Sequence, residues 1–182
     1  MHIKEHLNRK KTNFVNFVGL LLGFFGAFTG YTLSAYFAEI SGSDNVGSFY
    51  LVSYAVSFLA LFFLRPMIRR LGRARMLYLS LGLSVMCMAL VMHNSSELWL
   101  AAILLLAFLV FDSVTWVMLD IVLEGYSSDS MSGRIRGLHL SILNTGYLFA
   151  PYCATSVLKH FGYDGIFFSV MVGYMAIFLF SP

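Results

Sequence analysis

Charge is scarce in this chain. Only 12% of its 182 residues are Asp, Glu, Lys or Arg, 59% are hydrophobic, and the mean hydropathy is +0.78. A water-soluble domain so poor in charge would expose apolar surface almost everywhere and aggregate, so the composition calls for lipid as the surrounding solvent. Cysteine is nearly absent as well. Cys87 and Cys153 each lie alone inside an apolar run, as small packing residues rather than a disulfide or a metal pair. There is no Gly-x4-Gly-Lys-Ser/Thr phosphate loop, which argues against an ATP-driven pump, and no His–Glu–His or paired-cysteine array of a metalloenzyme. "GLLLGFFG" has glycines but follows no strand and precedes no ribose-binding acid, so no dinucleotide site is implied. Without a clustered nucleophile, base or metal set, the sequence implies no cofactor and no enzyme.

Apolar residues come in six runs: Phe14–Ala38, Val46–Leu64, Met76–Met92, Leu98–Leu123, Gly137–Leu158 and Gly165–Phe180. Each is close to the length that crosses a hydrocarbon core of about 30 Å as an α-helix. A lone strand in lipid would leave backbone groups unpaired at several kcal/mol each, and the two-residue alternation of a membrane barrel is absent. The connectors "EISGSDN", "RPMIRRLGRAR", "HNSSE", "GYSSDSMSGRIR" and "KHFGYD" are short, so consecutive helices are expected as antiparallel neighbours. The expected fold is an all-α membrane bundle of six transmembrane helices, with residues 1–182 forming one domain.

Five arginines, Arg65, Arg69, Arg70, Arg73 and Arg75, crowd the second connector. With the N-terminus in the cytoplasm, they join Lys4, Arg9, Lys10, Lys11, Arg134 and Arg136 on the inner side, and only Lys159 of the twelve basic residues falls outside. This is a positive-inside distribution. It makes the arginine cluster an anchor at the anionic inner face rather than a nucleic-acid site, and places the chain in a cell membrane with the bilayer as its partner. The basic start "MHIKEHLNRKKTN" leads into a run too long for a cleaved signal peptide and without a small-residue cleavage site. His2 and His6, spaced i, i+4 on this polar tail, are read as solvated residues. The sixth run stops at Ser181-Pro182 without a basic flank, which suggests the first part of a longer protein.

Shifting the sequence by 90 residues lays "MIRRLGRAR" (67–75) on "VLKHFGYDG" (157–165), matching Gly72 with Gly162 and Gly47 with Gly137. An offset of three helices places the two copies on opposite membrane faces, as in the inverted 3+3 repeats of secondary transporters. Repeat one would cover about 13–93 and repeat two about 97–182.

"RPMIRRLGRAR" resembles the signature between the second and third helices of the major facilitator superfamily, roughly G-x-x-x-D-R-x-G-R-R/K. Arg70, Gly72 and Arg73 match, whereas Arg65 and Arg69 stand in place of its Gly and Asp. "GLHLSILNTGYLFAPYCAT" resembles the family's fifth-helix motif, G-x8-G-x3-G-P-x2-G-G. Gly137, Gly146 and Pro151 match; Ala150, Ala154 and Thr155 replace glycines. The resemblance covers the chain as an amino-terminal six-helix half. It implies transport of a small solute by alternating access, with the solute held between this half and a carboxy-terminal half or a second copy. The rival reading is a non-transporting membrane interaction or assembly protein.

The fourth run carries the candidate site. Asp112 lies about 18–22 Å along the helix from Glu97 and Glu124, near the bilayer midplane, where an acid costs about 2.5–3.5 kcal/mol. Asp112, Trp116 and Asp120 share one face at i, i+4, i+8. Asp112 either binds solute or a coupling proton, with Trp116 as a wall, or is hydrogen-bonded for packing alone. By the resemblance, Arg70 or Arg73 pairs with Asp120 or Glu124 as a gate; the alternative is ordinary surface ion pairs. Asn144 either holds helices together or touches solute, and Thr29, Tyr31 and Thr32 are cavity candidates. Gly19, Gly23, Gly26 and Gly30, and Gly146, Ala150 and Ala154, recur at helical spacing for close packing, and Pro151 is expected to bend its helix.

Overall fold

The computed structural model describes residues 2–43, 45–94, 97–125 and 132–180, with side chains described for all of these except 2–10 and 132. Parts of the connectors around Asp44, Ser95–Ser96 and Tyr126–Met131, the Ser181-Pro182 end, and the side chains of His2 and His6 lie outside the described residues. The described chain is helical throughout: α1 His2–Ser41, α2 Gly47–Leu71, α3 Arg73–His93, α4 Leu98–Glu124 and α5 Ser132–Phe180. All five are long and apolar enough to cross a membrane, which makes this a multi-pass membrane protein.

The helices overrun the apolar runs that predict them. α1 begins in the basic tail, and α2 continues through Arg65–Leu71, because Lys, Arg, Leu and Met are good helix formers and a charged side chain at a membrane edge does not interrupt backbone pairing. The second connector is thereby reduced to one residue, Gly72, at φ 88° and ψ 158°. The fifth connector disappears altogether: the expected fifth and sixth runs lie in one element, α5, broken only at Gly162 (φ 64°, ψ −162°). Pro151 sits inside α5 at a position that stays helical.

Gly162 divides α5 into a first limb (132–161) and a second limb (163–180), and both limbs pack on α1. Asn16 meets His139, and a Cβ on Gly146 would lie 2.6 Å from the Leu20 carbonyl oxygen, so the first limb climbs beside α1 in the same direction. Tyr36 meets Tyr163 and Phe167, while Gly173 lies against the Phe25 ring, so the second limb descends. The chain therefore doubles back at Gly162.

The core forms where α1, α3, α4 and the second limb converge, around Leu22, Leu81, Met88, Leu105, Phe108 and Tyr174. Small residues set the α1–α5 approach. A Cβ on Gly23 would sit 2.5 Å from the Leu143 carbonyl oxygen, and Ala150 and Ala154 are buried. α2 is peripheral: it buries only Ser53, Ser57 and Leu64 and turns Leu51, Phe58, Phe62 and Phe63 outward.

Candidate functional site

Halfway along α4, Asp112 is the only acid of that helix away from its ends. Trp116, one turn on, reaches back so that its Nε1–H donates to Asp112 Oδ2 at 3.2 Å. The buried Tyr174 hydroxyl, from the second limb of α5, donates to Oδ1. Tyr174 is itself fixed by an edge-on contact with Phe108, at 5.4 Å between ring centres. Tyr147 of the first limb faces Trp116, with ring centres 6.5 Å apart. Gly26 completes the wall: a Cβ there would lie 3.6 Å from the Tyr174 hydroxyl and 3.8 Å from the Trp116 ring.

Each Asp112 oxygen thus has one donor and keeps room for another. Among the described residues no Lys, Arg or His forms an ion pair with it, since the basic side chains sit toward the helix ends. Asp112 as a residue is half-buried. An acid at this height of a membrane-spanning helix is met by a partner, a water-filled cavity or a proton, and Tyr174 and Trp116 are the partners it has here.

The other sequence candidates separate. Thr29 and Thr32 are buried, and their hydroxyls donate to carbonyls of their own helix, Gly26 at 2.7 Å and Phe28 at 2.6 Å. Their neighbour Tyr31 is the exposed one, 57% open, and with the exposed Tyr54 of α2 it lies within electrostatic reach of Tyr147. Asn144 is exposed, on the same stripe of the first limb as Ser141, Thr145 and Leu148. Gly137 is open, with nothing within 4 Å of where its Cβ would be.

At the basic end, Asp120 is ion-paired at 2.5 Å to Arg136, rather than to Arg70 or Arg73. The reason is position: Arg136 opens the first limb directly beside the last turns of α4. Arg73 lies against Gly125, where a Cβ would come within 2.7 Å of its guanidinium and which directly follows Glu124. Arg70 lines a shallow hollow with Pro66 and Arg69. One further pair lies outside the sequence candidates: buried His139 of the first limb bonds Asn16 of α1 at 3.0 Å, its ring filling the notch at Gly19. A histidine inside an apolar run is the one signal that could have found it.

No protein-family model, curated protein or solved structure matches this chain.

Proposed function

We propose that the chain is a six-crossing half of a secondary transporter of the major facilitator type, moving a small solute by alternating access. In this reading the basic end is cytoplasmic, the two limbs of α5 are the fifth and sixth crossings, and the solute sits beside Asp112 between this half and a second half or second copy. The observation that carries the reading is the half-buried acid at half-height, held by Tyr174 and Trp116 and, among the described residues, without an ion-pair partner.

The two helix breaks support the repeat. Gly72 and Gly162 are 162 − 72 = 90 residues apart, the shift that overlays the two halves, and both adopt a positive φ with extended ψ. They reverse the chain at opposite ends of the bundle, as an inverted repeat requires. The basic-end charges, Arg70 and Arg73 with Asp120, Glu124 and Arg136, would form the gate that is made in one state and opened in the other.

The test uses the complete gene product in proteoliposomes, screened for ion-driven uptake or counterflow of small solutes. Asp112→Asn keeps the shape of the side chain and removes its charge and proton. Uptake is expected to fall by at least about tenfold, with the pH dependence flattened, as for a lost charge-assisted contact. Unchanged uptake and pH profile in this variant would overturn the assignment of Asp112. A protein that moves no solute, and is recovered only as a fixed assembly with other membrane proteins, would favour the non-transporting reading.

A further inference from the structure

A second site lies at the opposite end of the bundle from the arginines. The turn at Gly162 folds the start of the second limb back against the end of α1, and a cavity of about 330 Å³ opens between them and the first residue of α4. Its walls carry the rings of Tyr36, Phe161 and Tyr163, and it also holds the carboxylates of Glu39 and Asp164. Among the described residues neither Lys nor Arg lines it.

Tyr36 distinguishes this place from a mere cluster of acids. The residue is only 8% exposed, fixed by edge-on contacts with Tyr163 at 4.9 Å and Phe167 at 5.0 Å. Among the described residues nothing hydrogen-bonds its hydroxyl, although the side chain lines the cavity and lies within electrostatic reach of both Asp164 and Glu39. The ring is packed in place while the hydroxyl keeps access to the cavity, where a partner would stand. Aromatic faces and carboxylates around one hollow suit a positive group with a greasy body: the rings attract it through their quadrupole and the acids through its charge. A bare divalent metal is a poorer match. It needs six or more oxygen ligands at close range, whereas most of this wall is ring and hydrocarbon.

We propose that this cavity binds an organic ammonium cation. Glu39 and Asp164 neutralise the charge, Tyr36 hydrogen-bonds or stacks on the ligand, and Tyr163 and Phe161 enclose its methyl or methylene groups. From Tyr36 to Gly26, which borders the Asp112 cluster, the path along α1 is about 15 Å. If the transport reading holds, the cavity is the entry station for a solute that Asp112 then receives, and the solute class is an organic cation; binding at the cavity does not depend on that reading.

The test is calorimetric titration of the full chain in lipid nanodiscs with choline chloride, its neutral tert-butyl isostere and calcium chloride in turn. Choline should bind saturably and the neutral isostere at least about tenfold more weakly, because the charge carries the recognition. The exposed acids can be changed without disturbing the core, so the Glu39→Gln/Asp164→Asn double variant should fold normally and weaken choline by about tenfold or more. Tyr36→Phe, which keeps the ring contacts, should weaken it by a smaller factor. The proposal is overturned if choline does not bind, if the isostere binds equally, if the double variant is unaffected, or if calcium alone binds. Solute uptake without choline binding would sink the cavity proposal and leave the transporter; choline binding without uptake of any solute would do the reverse.

Discussion

At Gly23 and Gly146 the helix backbones come so close that a methyl group does not fit. A Cβ on Gly146 would lie 2.6 Å from the Leu20 carbonyl oxygen and 2.7 Å from the Phe24 nitrogen, and backbone cannot step aside as a flexible side chain can. Gly146→Val is expected to lower the thermal midpoint of the detergent-solubilised protein sharply, at a cost of about 1–3 kcal/mol or more. Gly30→Ala, with nothing within 4 Å, should leave it unmoved. The Asp120–Arg136 pair belongs to a different class. Both side chains are substantially exposed, 39% and 58%, so Asp120→Asn should hardly change the melting point. If the pair works as a gate, that variant changes uptake more than it changes melting, and the exchange Asp120→Arg with Arg136→Asp restores part of the loss. Side chains on one helix were the legible part of the site. Asp112 and Trp116 meet because i, i+4 spacing dictates it, and this holds in any fold that keeps α4 helical. Tyr174, 62 residues further on, reaches Asp112 only through the doubling back of α5. The threonines of α1, cavity candidates by sequence, donate their hydroxyls to carbonyls of their own helix, a local bond that helix position alone makes available.

Single glycines, not polar loops, end two of the helical passages. Gly72 and Gly162 combine a positive φ with an extended ψ, a region of backbone space that is essentially open to glycine alone. Neither has a neighbour within 4 Å of its absent Cβ, so an alanine there meets no clash and pays only in backbone strain. Gly162→Ala should therefore cost about 1–3 kcal/mol. Urea or thermal titration measures this, and Gly133→Ala, at an open position without such a φ, is the control. If Gly162→Ala melts like the control, the reversal at that residue is wrong. The same point explains why spans were readable and boundaries were not. Hydropathy marks where side chains leave the lipid. The backbone stays helical beyond that point wherever the residues are good helix formers, as through Arg65–Leu71 and through Lys159–Phe161. Helix ends are set by what the backbone can do, and hydropathy carries little of that information.

Across the whole molecule, the basic residues are sorted to one end, with Asp120 and Glu124 among them. Basic residues gather where α1 begins, where α2 meets α3, and where α5 begins, while Glu39, Glu97 and Asp164 lie at the other end with Lys159. Between the two ends the bundle presents large apolar side chains outward, among them Phe58, Phe62, Leu148 and Tyr152. That surface is stable only against lipid or another apolar partner. Positive residues resist transfer across a membrane during insertion, so the arginine-rich end should remain in the cytoplasm and the carboxylates of the cavity should face outward. Two single-cysteine variants test this, in a background where Cys87 and Cys153 are replaced by alanine. Asp164→Cys should react with a membrane-impermeant maleimide on intact cells. Arg70→Cys should react only after the cells are permeabilised. The two positions are exposed in the fold, so a failure to label cannot be blamed on burial. Labelling of both from the same side would mean an even number of crossings between them, against the three that α3, α4 and the first limb of α5 supply, and one of these helices, α4 with Asp112 among them, would then lie outside the lipid.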